Sequence, residues 1–511
     1  METFWIIEGV SQLTKRRVQG RYGQNRSQMT LMLVALVLLT YLVRLMGIQS
    51  QGLWRDEVDQ WRFAFFGWRE LLANLTRPGW NGPLYSILLR VWIEFAGDTP
   101  FAMRFLSTLW GVLSVPLLFR LSTRLCGKRC AMIAALLTAL SPYMVWYAQE
   151  VKMYTWVPFL VLLACYALDR ACQTSRLAWW GVVLVATSLA FYSHILTALL
   201  VPVLVLWFLL CRDRHPRAVV GGVLVLAGLV LPYLPLLRWQ LPLLLQQRAT
   251  GFPRYSLGQM IQMLLTGWSG GIYQGRWGGD AGLWAIVAAF ALLVSVGLVR
   301  LALSRRVRLV QLGVWLILPL LAVWLVSLRS PIFTDRYLIW SAPAFYILGG
   351  VGLDALRRRW PSLAAVLLAL LMIVNLHGLL MQMAHPIKPQ FERVVEVIAA
   401  RRGQDDLLLF QIPYNHHVYA FYADGDLGRW AEAPYTNWQL PDGRYQVGES
   451  YVTQEMVRIV GDTQRVWLVY SEVALWDARE LVKAWLDTTC RTDEAYYFTG
   501  VSLFLYRCAV H

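Results

Sequence analysis

Apolar residues fall in long unbroken blocks along this chain, rather than in the short alternating runs of half-buried strands. The first block runs from Met29 to Met46. About 20 apolar residues carry a helix across the hydrocarbon core of a bilayer. On that measure the sequence predicts spans at 29–48, 101–125, 131–147, 154–170, 177–192, 195–211, 218–237, 281–300, 308–327, 337–355 and 361–380. Basic clusters sit in the polar breaks: Lys15-Arg16-Arg17, Arg124 with Lys128 and Arg129, Arg170 with Arg176, Arg212 to Arg217, Arg305-Arg306 with Arg308, and Arg357-Arg358-Arg359. With these spans every cluster lies on the side of the N-terminus, which the positive-inside rule makes the cytoplasm. The odd count then places the C-terminus outside. Pro83 to Phe95 is also apolar, but it is short and carries Arg90 and Glu94. Counted as a span it would turn Lys128-Arg129 outward, so it is expected to lie in the outer interface. Residues 48–100 then form one long outer loop.

Past His385-Pro386 the pattern becomes that of a small soluble domain. Phe391 to Arg401 is amphipathic and predicts a helix. Asp406 to Gln411 and Val466 to Tyr470 predict buried strands, and Leu475 to Trp485 a further helix. Ala495 to Phe498 and Ser502 to Tyr506 flank a Thr-Gly turn and predict a hairpin. The expected fold is an α-helical polytopic membrane protein of about eleven transmembrane helices. It comprises a basic cytoplasmic N-terminus at 1–28, a membrane domain at 29–385 and an extracytoplasmic α/β domain at 386–511.

Composition agrees with this picture. Hydrophobic residues make up 57% of the 511 and charged residues 15%, with mean hydropathy +0.47. That is too apolar for a soluble enzyme. A net charge of +16 would suggest nucleic acid in a soluble chain, but here it follows from the cytoplasmic loops, and no nucleic-acid module is present in the sequence. No small-residue cleavage site follows the first block, which is therefore expected to be a signal anchor. The seven cysteines form no metal-type cluster, and the Cys126/Cys130 spacing alone predicts little. Cys490 and Cys508 lie almost equally far from the Thr499-Gly500 turn, which predicts cross-strand neighbours and a disulfide.

The spans bring four polar stretches to the outer face: Trp54 to Phe63, Trp146 to Tyr154, Tyr192-Ser193-His194, and Ser330 to Tyr337. A Gly-, Gln- and aromatic-rich segment from Arg238 to Asp280 is placed to fold over them as a lid. The first stretch holds Asp56, Glu57 and Asp59 among arginines and tryptophans. A carboxylate just outside a bilayer can stay ionised and serve as a base. The competing reading is an interfacial loop in which Trp and Arg only anchor a helix end.

In their order and spacing these residues resemble the C-type membrane glycosyltransferases, in particular bacterial relatives of the dolichyl-phosphate-mannose protein mannosyltransferases and of the lipid A aminoarabinose transferases. The resemblance rests on Asp56-Glu57, Pro83-Leu84-Tyr85, Phe101 to Arg104 with Leu106 to Leu109, Ser141-Pro142 through Gln149-Glu150 to Tyr154, Tyr192-Ser193-His194 and Arg336-Tyr337-Leu338. One departure is Asn81-Gly82-Pro83-Leu84, where relatives carry His-Pro-Pro-Leu; another is Lys152, where relatives often have Arg.

The resemblance implies transfer of a hexosyl or pentosyl unit from a polyprenyl-phosphate donor to an acceptor at the outer face of a bacterial cytoplasmic (inner) membrane. The acceptor would be a lipid-linked glycan, lipopolysaccharide, a cell-wall polymer or a protein. It casts Asp56 as general base, with Glu57 and Glu150 as further catalytic carboxylates. Arg104, Lys152, Arg336 and His194 would meet the donor phosphate, and Asn81, Tyr85, Gln149, Tyr154 and Tyr337 the substrates. Glu57 has a second reading as a structural partner of an arginine. A divalent cation stays open, since related oligosaccharyltransferases use a metal and two carboxylates from separate loops are a weak metal signal. The rival functions are a polytopic transporter or lipid flippase, and a scaffold on the same fold. Against a transporter, the informative charges gather at one face and no internal repeat is visible.

Overall fold

The structure, a computed structural model, describes residues 28–77, 82–174, 176–211, 217–229, 252–273, 279–440 and 443–508. The membrane half is helical. It opens with α1 (Gln28–Leu45) and three short helices of the first loop: α2 (Arg55–Ala64), α3 (Trp68–Ala73) and α4 (Pro83–Ala96). Next come α5 (Pro100–Cys126), α6 (Lys128–Ala139), α7 (Pro142–Ala148), α8 (Trp156–Gln173), α9 (Leu177–Ser193) and α10 (Leu200–Leu210). After α11 (Ala218–Leu229) follow α12 (Leu257–Gly270), α13 (Gly279–Ser304), α14 (Arg306–Ser327), α15 (Ala342–Arg359) and α16 (Pro361–Ala384).

Among the described residues six helices are long and apolar enough to cross a membrane: α1, α5, α13, α14, α16, and α15 taken with the 3-10 turn Asp335–Ser341 before it. The expected count of eleven is not reached by this measure. The block at 131–147 was expected to be one span, but it breaks into α6 and α7 with a bend of 59°. Ser141 and Pro142 cause the break: the Ser141 hydroxyl accepts from Met144 N at 3.3 Å and Pro142 opens the new helix. Pro83 to Phe95 lies in the 14-residue helix α4. Residues 230–251 and 274–278, which include much of the expected lid and the end of the 218–237 block, lie outside the described residues.

The helix α15 is the buried centre of the bundle. It can pack closely on α13 because both carry glycine at the crossing. A Cβ on Gly352 would stand 1.9 Å from the Leu293 carbonyl, and one on Gly297 would stand 2.3 Å from that of Leu348.

The C-terminal domain is α/β, built on α17 (Phe391–Arg401), β1 (Leu407–Phe410), α18 (Asn415–Tyr422), β2 (Trp430–Glu432), α19 (Glu449–Val460), β3 (Arg465–Tyr470), α20 (Leu481–Thr489), β4 (Cys490–Phe498) and β5 (Val501–Cys508). The sheet order is β2-β1-β3-β5-β4; the first three strands are parallel, and β5 runs antiparallel to both of its neighbours. Alternate residues of β1 and β3 bury opposite faces. Leu407, Leu409, Val466 and Leu468 pack with Met456 of α19 and Leu486 of α20. Leu408, Phe410, Trp467 and Val469 pack with Val394 and Ile398 of α17, and in the same cluster lie Leu53, Val58, Leu89, Met103 and Val151. The domain therefore shares one core with the loop between α1 and α5.

The expected hairpin is β4–β5, with Gly500 at φ +68° in its turn. Cys490 pairs directly with Cys508 and the two are disulfide-bonded, Cα to Cα 4.3 Å. A bulge between Thr492 and Glu494 absorbs the longer arm of β4. Cys126 and Cys130, whose spacing predicted little, are also joined, across the corner between α5 and α6. The helix expected at Leu475 to Trp485 begins only at Leu481. Ahead of it the buried Asp477 organises a turn, accepting from Val482 N at 2.9 Å and from the Thr436 hydroxyl at 2.5 Å.

Candidate active site

The site is organised by α2. Asp56 and Glu57 occupy its first turn, where carboxylates favour the positive end of the helix dipole. Adjacent residues on a helix point about 100° apart, so the two acids face different surroundings.

Glu57 faces inward and is fully buried. Arg104 of α5 meets it side-on, Nε to Oε1 and Nη2 to Oε2, both at 2.9 Å. Val151 N donates to Oε1 at 3.0 Å, and Lys388 Nζ to Oε2 at 2.8 Å. Burial alone would raise the Glu57 carboxyl, but Arg104 and Lys388 hold it well below the usual range. Arg104 spends its remaining donors on the carbonyls of Ile48 and Gln51 at 2.8 Å each and of Gly52 at 2.9 Å. Two sequence expectations are corrected here. Arg104 has no donor left for a donor phosphate, and Glu57 has no free oxygen for catalysis. Together they clamp the loop.

Lys388 is a site residue that the sequence did not reveal. It precedes α17, in the link between membrane domain and C-terminal domain, and is 5% exposed. Its ammonium also lies 3.5 Å from Glu150 Oε1 and 5.1 Å from the Trp146 ring centre. Glu150 is buried, and its Oε2 has no hydrogen-bond partner among the described residues. Burial raises its carboxyl above the usual range against the pull of Lys388, and Glu57 adds to the rise. Two more contacts tie the C-terminal domain to α2 and to the residues just before it. Glu472 Oε1 accepts from Arg55 Nη2 at 3.0 Å, and the Tyr422 hydroxyl accepts from Leu53 N.

Asp56 faces away from Glu57, toward Arg336. Its side chain keeps 22% of its exposure and pairs with Arg336 at 3.2 Å. Burial raises its carboxyl, but Lys152, Arg336 and Arg55 outweigh this and hold it below the usual range. Arg336 comes from the 3-10 turn before α15. Its guanidinium stands 5.4 Å from the Trp54 ring centre and 6.0 Å from that of Tyr154, and its Nε has no partner among the described residues. The His194 ring lies 4.9 Å from that of Tyr337, and neither His194 nitrogen has a partner among the described residues. Burial, with Arg336 nearby, lowers the His194 imidazole to about 3, so it is neutral at pH 7. Tyr337 also meets the Phe252 ring at 6.1 Å.

Asp56, Lys152, Tyr154, His194, Arg336 and Tyr337 thus form the neighbourhood expected of them. Two expected substrate residues do not join it. Tyr85 is buried with its hydroxyl 2.8 Å from that of Ser107, and Gln149 donates to the carbonyls of Arg44 at 2.9 Å and Met46 at 2.7 Å, so both serve the framework. Asn81 lies outside the described residues. Its neighbour Gly82 sits at φ +79°, with its Cβ position 3.0 Å from the Ser193 carbonyl. A proline, which needs φ near −65°, cannot take that conformation, so the departure from His-Pro-Pro-Leu goes with a different local backbone. Among the described residues no three His, Cys, Asp or Glu side chains converge as a metal site.

Residues 78–239 match the family model described as dolichyl-phosphate-mannose-protein mannosyltransferase. The chain is 27% identical over 387 residues to undecaprenyl phosphate-alpha-4-amino-4-deoxy-L-arabinose arabinosyl transferase 2 of Pseudomonas fluorescens. That match spans 70% of this chain but only 66% of the relative's length. ArnT from Cupriavidus metallidurans in the apo state superposes with TM-score 0.57 at 14% identity, over 94% of this chain and 98% of that one. The oligosaccharyltransferase AglB from Archaeoglobus fulgidus, with an inhibitory peptide and dolichol-phosphate, superposes with TM-score 0.54 at 14% identity, over 95% of this chain and 74% of that one. At such identities the two structures establish a shared fold.

Proposed function

We propose that this chain is a membrane glycosyltransferase of the C type and that it moves a sugar from a polyprenyl-phosphate donor to an acceptor at the outer face of a bacterial inner membrane, with the N-terminus cytoplasmic and the C-terminus outside. The observation that carries this is the Asp56–Arg336 pair at 3.2 Å. It sets an ionised carboxylate beside a guanidinium whose Nε is unpartnered among the described residues. In the proposed step the acceptor hydroxyl gives its proton to Asp56 as its oxygen bonds to the anomeric carbon. The bond from that carbon to the phosphate oxygen breaks, and the electron pair leaves on the lipid phosphate. That leaving group is already anionic and needs cations rather than a proton. Arg336 and Lys152 supply them, and Tyr154, His194 and Tyr337 line the approach.

Glycan analysis of a deletion strain beside wild type identifies the transferred sugar as a mass difference. Complementation with Asp56→Asn keeps size and polarity but removes the base. It is expected to lower transfer by at least about 10²-fold with normal membrane insertion. Near-normal transfer by that variant would defeat the mechanism. Purified protein that needs an ion gradient to act would favour a transporter instead.

A further inference from the structure

The proposed chemistry leaves one feature of the outer face unused. A cavity of about 510 Å³ opens between α2, the corner before α5 and helix α18 of the C-terminal domain. Its size is that of a small-molecule site. Its walls include Trp61, Arg62, Asp98, His417, Phe421 and Asp424. We propose that this cleft holds the acceptor glycan, one or more sugar units away from the hydroxyl that is attacked.

Four observations carry the proposal. The first is position. Arg62 lies six residues beyond Asp56 on one helix, about 9 Å along its axis at 1.5 Å per residue. Asp59 stands between them, 3.8 Å from Arg62, so polar groups continue from the reacting carboxylate to the cleft. The second is chemistry. A sugar presents hydroxyls that both donate and accept, and apolar C–H faces. Here two carboxylates accept, a guanidinium donates, and an aromatic wall offers its surface. Trp61 is fixed as that wall by Phe421, ring centres 5.1 Å apart, and by its Nε1 donating to Asp98 at 3.2 Å. Third, burial and His416 lower the His417 imidazole to about 4, so at neutral pH it offers one donor and one acceptor. Fourth, Arg62 Nε is buried without a partner among the described residues. The two walls come from different domains, so the docking of the C-terminal domain makes the cleft.

This rests on the proposed transfer reaction, and its test separates the two. The full-length protein is assayed with a fixed amount of lipid extract from the deletion strain as donor source. The unmodified glycan fraction from that strain's envelope is titrated as acceptor. Asp424 lies at φ +48°, a conformation that Asn tolerates, so Asp424→Asn removes the charge without straining the turn. Asp424→Asn and Arg62→Gln are each expected to raise the acceptor KM about tenfold, the scale of one lost charged hydrogen bond, with kcat within about twofold of wild type. A glycan KM unchanged in both variants, beside an inactive Asp56→Asn, would overturn the cleft alone. So would a fall in kcat at unchanged KM. Normal transfer by Asp56→Asn would defeat the reaction itself and the cleft with it.

Discussion

Glu57→Gln separates a structural carboxylate from a catalytic one. In the folded protein Glu57 accepts from Arg104, Lys388 and Val151 at 2.8–3.0 Å with no exposure to water. Glutamine keeps the shape but turns an NH2 group toward a cation, and it leaves Arg104 and Lys388 buried with their countercharge gone. Removing one partner of a buried pair costs about 3–5 kcal/mol. That energy holds the first loop to the C-terminal domain, so its loss raises local opening by roughly two to three and a half orders of magnitude. Hydrogen exchange reads this at the amides of Val151 and Leu53, which are bonded to Glu57 and Tyr422. Because the folded carboxyl lies below its ordinary range, its contribution is complete above about pH 5 and is lost as pH falls through the lowered value. Transfer should fall in proportion to the opened fraction. A Glu57→Gln protein with wild-type exchange and no activity would refute the clamp and return Glu57 to the chemistry.

Lys388→Met should also loosen the loop, and, because the ammonium pulls the Glu150 carboxyl down, its loss should raise that carboxyl further and move the acid-side loss of transfer to higher pH; a pH–rate profile with an unchanged acid limb would remove Lys388 from the site. Arg336→Lys keeps the charge but not the planar fork, and is expected to lower kcat by about 10²-fold, the scale of one lost transition-state donor; a change confined to KM would assign Arg336 to ground-state binding. Mass spectrometry of non-reduced protein should find Cys490 linked to Cys508, and replacing both with Ser should destabilise the C-terminal domain by about 3 kcal/mol for a loop of this length; free alkylation of both thiols would overturn the bridge and the outside placement of that domain. A reporter fused after Arg359 should read cytoplasm and one after Met383 the outer side; labelling near Gly127 from outside would make α4 a crossing.

Much of this was legible because hydropathy is a local property. The lipid-facing runs of α13, α14 and α16 are visible as blocks, as are the buried strands Leu407–Phe410 and Arg465–Tyr470. The hairpin and its disulfide followed from one Thr-Gly turn. The break at Ser141-Pro142 also had its signal, an N-cap residue followed by proline, but the apolar run on both sides concealed it. The clamp was illegible for a different reason. Glu57, Arg104 and Lys388 are 47 and 331 positions apart, and no pattern along the chain ties a lysine past the last span to a carboxylate before the second. Arg104 was assigned to the phosphate because its type and place fitted. Only the fold shows that its donors are already taken.

The 331 positions between Glu57 and Lys388 also set an order of events in the cell. A ribosome adding about 5–20 residues per second makes Lys388 roughly 15–65 s after Glu57. Through that interval the first loop and the start of α5 carry a carboxylate and an arginine that are buried in the finished fold, and they lack the third member of their set. The clamp on Glu57 is therefore complete only once Lys388 has been made and the C-terminal domain has docked. A chain cut short before Lys388 leaves Glu57 with Arg104 and Val151 as its only partners in this set.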